Sequence, residues 1–139
     1  MRLILLRHGE SQWNLENKFT GWEDVPLTET GIKEAVSSAE KLVKNNIQIS
    51  TIQTSLLKRA INTSKIVADF IKFPINKIQY DWRLNERHYG ALQGLNKSET
   101  AAKYGENQVL LWRRSYDIPP PKLDIDDQRH PKFNPIFAV

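Results

Sequence analysis

An α/β chain with a mostly parallel sheet is the fold that this sequence predicts. Two observations carry the prediction. Apolar strand-like runs alternate with amphipathic helical stretches over short connections, through residues 3–6, 28–46, 47–55 and 56–71. The first of these runs, Leu3-Ile4-Leu5-Leu6, also stops abruptly in a charged, glycine-bearing turn, Arg7-His8-Gly9-Glu10. It reads as a buried strand. In open α/β sheets ligands meet the chain just past the carboxyl ends of strands, so this turn is the first candidate for a site.

Taken in order, the next stretch is polar with interspersed aromatics: Ser11-Gln12-Trp13-Asn14, then Asn17-Lys18-Phe19-Thr20-Gly21-Trp22. It reads as a long irregular loop, and its tryptophans argue against disorder. Thr28 is placed to cap a helix. Ile32, Ala35, Val36, Ala39, Leu42 and Val43 fall at three- and four-residue spacings and predict that helix up to Asn45-Asn46. Ile47, Ile49 and Thr51 alternate with polar residues and lead into Ile52-Gln53-Thr54-Ser55, a short strand and a capping turn. Leu56, Leu57, Ala60, Ile61, Val67, Ala68 and Ile71 mark a second helix. A third strand is expected at residues 77–80. A dense polar segment follows over residues 81–94, punctuated by Gly90 and Gly94. A helix is expected over 96–104, capped by Asn96 and stopped at Gly105. Another runs over 106–114, and Pro119-Pro120-Pro121 is a stiff spacer. The tail over 119–139 is proline-rich and irregular, and its His130 reads as structural or solvated.

With 139 residues the chain is expected to be one domain. Forty per cent hydrophobic residues and four tryptophans fit a folded core and exclude disorder. No cysteine means no disulfide framework, and no run approaches membrane-spanning length. The expectation is a soluble cytoplasmic protein with no membrane partner. Net charge is +4, and from Pro119 onward three basic residues balance three acidic ones. The excess therefore lies earlier in the chain. It suits small acidic ligands, and without a basic run or basic helix no nucleic-acid partner is expected.

Arginine and histidine side by side at Arg7-His8 suggest phosphate chemistry. Arginine offers phosphate a planar donor fork, and an imidazole can attack phosphorus. Lys58 and Arg59 open the second helix, where cations oppose the helix dipole unless an anion binds there. They are either part of a phosphate cradle or two solvated surface cations. Glu86, Arg87 and Tyr89 place a carboxyl, a cation and a phenol within four positions, enough for proton transfer beside an anion. Arg113-Arg114 are either favourable charges at a helix end or further anion donors. No metal-ligand cluster is evident.

Together these segments resemble the 2,3-bisphosphoglycerate-dependent phosphoglycerate mutases of the histidine phosphatase superfamily. The resemblance rests on residues 7–14, Phe19-Thr20-Gly21-Trp22, Leu57-Lys58-Arg59-Ala60, residues 84–96 around Glu86-Arg87-His88-Tyr89, and Trp112-Arg113-Arg114. It implies a phosphoglycerate-mutase-like three-layer sandwich. It implies interconversion of 3- and 2-phosphoglycerate, in glycolysis and gluconeogenesis, through a phosphohistidine at His8. Glu86 would be the general acid and base. Arg7, Gly9, Glu10, Ser11, Gln12, Trp13, Asn14, Thr20, Gly21, Arg59, Arg87, His88, Tyr89, Lys97, Arg113 and Arg114 would bind substrate or cofactor. The cofactor would be 2,3-bisphosphoglycerate, which primes His8, with no metal.

The resemblance also exposes a departure. Members of that family are longer and carry a second apolar strand ending in a His-Gly-Asn turn. His88 and His130 do not match its context, and Val139 precedes any such strand. The expectation is therefore a C-terminally truncated, incomplete domain over 1–139, lacking the C-terminal strands and helices. Its first strand would have an unpaired edge, which favours a homo-oligomer. Two functions follow: a working mutase, or an impaired remnant that only binds phosphorylated acids.

Overall fold

The protein is described by a computed structural model covering residues 1–137. In chain order the elements are a helical turn α1 (Gln12–Leu15), helix α2 (Glu29–Lys44), strand β1 (Gln53–Thr54), helix α3 (Lys58–Phe70), strand β2 (Gln79–Tyr80), helix α4 (Lys97–Tyr104) and helix α5 (Glu106–Arg114). Short 3-10 turns lie at Ile75–Lys77, Trp82–Leu84, Gly90–Leu92 and Pro131–Phe133. The chain divides into two units, one from Met1–Gln12 and Val25–Leu84, the other from Trp13–Asp24 and the chain from Asn85 onward. Among the described residues no helix is long and apolar enough to cross a membrane.

In the first unit α2 forms where its sequence period requires. The Thr28 hydroxyl accepts from the Gly31 N–H at 3.1 Å, satisfying one of the orphan donors of the first turn. Glu29 sits at the positive end of the helix dipole, and Lys41 and Lys44 at the negative end. Ala35 and Ala39 are buried, and this small-residue face packs on α3, which buries Thr63, Val67 and Ala68. β1 and β2 pair in parallel, Gln53 opposite Gln79 and Thr54 opposite Tyr80. The parallel pairing is as expected, on a sheet of two short strands.

The strand expectations need correction in extent. Residues 3–6 are not a strand, and their backbone joins no ladder among the described residues. Leu3 and Leu5 are 77% and 86% exposed. An apolar run becomes a strand only through hydrogen bonds to a neighbour, and among the described residues β1 pairs with β2 alone. Residues 47–51 likewise stay outside the ladder; Ile52 gives it only a carbonyl, which accepts from Gln79 N at 3.0 Å, and the paired residues start at Gln53. The expected strand at 77–80 is shortened by the 3-10 turn before it. Leu3, Ile4, Leu5, Leu6, Ile47, Ile49, Ile52 and Ile71 instead line an open cavity of about 550 Å³.

The second unit has its own small core of Phe19, Leu92 and Val109, with Tyr89, Ala101 and Trp112 packed against it. The loop expected over residues 11–22 contains the turn α1. It closes through Asn17, whose φ of 55° turns the chain so that the Lys18 N–H reaches the Trp13 carbonyl at 2.9 Å. Phe19 is then held at both backbone groups, donating to Leu95 O and accepting from Gly94 N. The Asn96 side chain caps α4 by accepting from the Ser98 and Glu99 N–H groups. Gly105, at φ 88°, separates α4 from α5 as the sequence indicates. The tail is anchored to the 90–93 turn. Pro121 O accepts from Ala91 N at 2.9 Å, and Arg129 Nη1 donates to Gln93 O at 2.8 Å. His130 is structural: its Nδ1 accepts from the Lys132 N–H.

Candidate functional site

The candidate residues fall into two groups, one in each unit. In the first unit, the half-buried His8 ring places Nδ1 2.6 Å from the Gly9 carbonyl. A carbonyl only accepts, so Nδ1 carries a proton, and in the neutral ring the lone pair is then on Nε2. The loop behind this ring is held from several sides. Gly9 N donates to Thr63 Oγ1 at 3.3 Å, and the Thr63 hydroxyl donates onward to Arg59 O at 2.8 Å. Gly9 and Gly31 touch backbone to backbone: a Cβ on Gly9 would lie 2.1 Å from Gly31 O. Thr28 donates its hydroxyl to the Glu10 carboxylate at 2.8 Å, and Gln12 N donates to Pro26 O at 3.0 Å.

Arg59, in the first turn of α3, is 1% exposed. The reading of two solvated cations fails for Arg59, which is buried, while its neighbour Lys58 is exposed. Arg7 is exposed, Ser11 is buried and bridges to Leu27, and Gln12 is exposed. Glu10 serves as a tie between loop and α2, its N–H donating to Glu34 Oε2 at 2.7 Å.

The second unit gathers Glu86, Arg87, Tyr89, Arg113 and Arg114. Burial first, and then the Glu86 carboxylate, push the Tyr89 hydroxyl above its ordinary value of 10, while Arg113, Arg114 and Arg87 pull it down. One carboxylate and three guanidinium groups therefore act on this phenol. Arg113 and Arg114 meet no carboxylate among the described residues. Glu86 is exposed, and its backbone carbonyl accepts from Trp22 Nε1 at 2.7 Å. Arg87 donates from Nη1 to Trp112 O at 2.9 Å and from Nη2 to Ser115 O.

Gly21, at φ 57°, lies against the same segment, where a Cβ would stand 3.1 Å from Tyr89 N. Thr20 is buried beside it, Lys97 opens α4, and Asn14 lies in α1. Trp13 lies under the Lys18 ammonium, 5.4 Å from ring centroid to Nζ. The His88 Nδ1 accepts from Gly90 N at 2.9 Å, and its ring meets Trp22 edge-on.

Thr63 and Gly31 do not stand out in the sequence. The available signals were a hydroxyl four residues after Arg59 in one helix, and a glycine within a helical first turn.

Residues 3–129 match the histidine phosphatase superfamily (branch 1). The chain belongs to that superfamily. Among solved structures it is similar to a mycobacterial glucosyl-3-phosphoglycerate phosphatase complexed with VO3, at 31% identity and a TM-score of 0.71, covering 81% of this chain and 51% of that one. It is also similar to YhfR of Bacillus stearothermophilus, at 33% identity and a TM-score of 0.64, covering 76% and 50%. A further mycobacterial hydrolase shares 31% identity at a TM-score of 0.70, covering 81% and 50%. The chain spans about half the length of these structures.

Proposed function

We propose that this protein transfers phosphoryl groups of small phosphorylated acids through a phosphohistidine at His8. The observation that carries the reading is the contact of His8 Nδ1 with the Gly9 carbonyl, on a loop tied to both α2 and α3. With Nδ1–H given to that carbonyl, the neutral ring would use Nε2 as its nucleophile. In the first half-reaction His8 Nε2 attacks phosphorus: an N–P bond forms and the P–O ester bond breaks. On the family resemblance Glu86 would give its proton to the departing alkoxide, and in the return step would take the proton of the receiving hydroxyl while the N–P bond breaks. Arg7 and Arg59 would face the oxygens of the transferring group. Arg113, Arg114, Tyr89 and Lys97, with Asn14, Thr20 and Gly21, would hold the remaining phosphate and carboxylate. Charge spread over phosphoryl oxygens is what such donors stabilise.

Within this class we favour a mutase that interconverts 3- and 2-phosphoglycerate. The support is the block over residues 84–96, together with the two guanidinium groups that meet no carboxylate among the described residues. These residues fit an acid bearing two phosphates, and 2,3-bisphosphoglycerate would supply the first phosphoryl group. A second reading is a phosphatase, in which water replaces the receiving hydroxyl. It is favoured by the likeness to the glucosyl-3-phosphoglycerate phosphatase.

Incubation with 2,3-bisphosphoglycerate should leave acid-labile phosphate on the wild-type chain and none on His8→Ala. Conversion of 3- to 2-phosphoglycerate supports the mutase, and net phosphate release the phosphatase. Binding without any phosphohistidine would reduce the function to ligand binding.

A further inference from the structure

We propose that Arg87 is a positioning residue, which clamps the last turn of α5 and so sets the direction of the Arg113–Arg114 pair. The proposal rests on the anion-binding reading of that pair. The two carbonyls that Arg87 holds, Trp112 O and Ser115 O, bracket Arg113 and Arg114 in the chain.

The last four carbonyls of a helix have no partner within it. Many helices satisfy them with a left-handed glycine just past the end. α5 ends without one: Ser115 leaves the helix at φ −65° and ψ 146°. Its N-terminus has no side-chain cap either, and at nine residues it is too short to be stable by itself. Arg87, from a segment 25 residues earlier, supplies the missing donors. Its charge also lies at the negative end of the α5 dipole, which offsets repulsion from the two neighbouring arginines. The planar fork reaches both carbonyls at once, which a lysine ammonium cannot do in the same geometry. Trp112 is packed against the Phe19–Leu92–Val109 core, so the clamped turn has a fixed base. Arg87 thus turns one N–H of each terminal nitrogen to backbone, and in this proposal its effect on a ligand passes through Arg113 and Arg114.

The test is a double-mutant cycle on the full chain, with calorimetric binding of 3-phosphoglycerate. Arg87→Gln and Arg114→Gln should each weaken binding on the order of tenfold, and the double variant little more than either alone. Arg87→Lys should lose nearly as much as Arg87→Gln, because charge without the fork does not hold both carbonyls. Independently, amide exchange at Arg113, Arg114 and Ser115 should accelerate in both Arg87 variants and stay unchanged in Arg114→Gln. Multiplying losses in the double variant with unchanged exchange would overturn the proposal and make Arg87 a direct ligand contact. If the wild-type chain binds no 3-phosphoglycerate, the functional reading fails. The exchange data then judge the clamp alone, and unaltered exchange overturns it.

Discussion

Gly31 shows how one missing side chain supports a site 22 positions away. Replacing a helical glycine by alanine ordinarily stabilises by about 1 kcal/mol through backbone entropy. Here the added Cβ would lie 2.1 Å from the Glu10 carbonyl oxygen, inside any permitted contact. The steric term wins, and Gly31→Ala should destabilise by about 1–3 kcal/mol, read from the urea midpoint. His88 makes a pH-dependent contribution of definite sign. Burial, and then His130, hold its imidazole below the ordinary value of 6.5. Protonation would also take Nδ1 from the Gly90 N–H. The unfolded chain therefore binds the proton first. Stability from this group is complete above pH 6.5 and is lost as pH falls below it, through the folded value. Urea midpoints on either side of pH 6.5 should show this decline, and His88→Gln should flatten that part of the curve.

The helices show best how elements follow from local chemistry. α2 and α4 begin where their Thr28 and Asn96 caps are placed, and α4 stops at Gly105, all readable within a few residues of chain. Thr28 does more than cap. Its hydroxyl accepts from Gly31 N and donates to the Glu10 carboxylate, so it also secures the histidine loop. Thr28→Ala should cost about 1–2 kcal/mol in urea unfolding, and Thr28→Ser should restore most of it. The strands behave differently. The apolar run at residues 3–6 carries a strong strand signal and yet forms no ladder, since no periodicity within a run supplies the neighbour it needs. The fate of Arg59 was also open in the sequence. A cation in a first helical turn is compatible with solvent or with burial, and the packing of α3 in the first unit settled it.

Across the whole molecule the unusual feature is exposed apolar chain. Leu3 and Leu5 stand in solvent beside the open cavity of the first unit, along a backbone without ladder partners among the described residues. Such a surface invites pairing with another copy. Sedimentation should therefore show concentration-dependent self-association, suppressed in Leu5→Lys. Because Leu5 is already 86% exposed, that variant should leave the unfolding free energy in urea within about 0.5 kcal/mol of the parent.

The helices, their caps and the chemistry-bearing turn at His8 were determined by the amino-acid order alone, because hydrogen bonds four residues apart and capping side chains are local. Four matters depended on residues far apart in the chain: strand extent, the burial of Arg59, the tie from Gly9 to Thr63 behind His8 and the engagement of Arg87 with α5. Each is a pairing between groups that meet only when a unit closes, and no short window of sequence contains both partners.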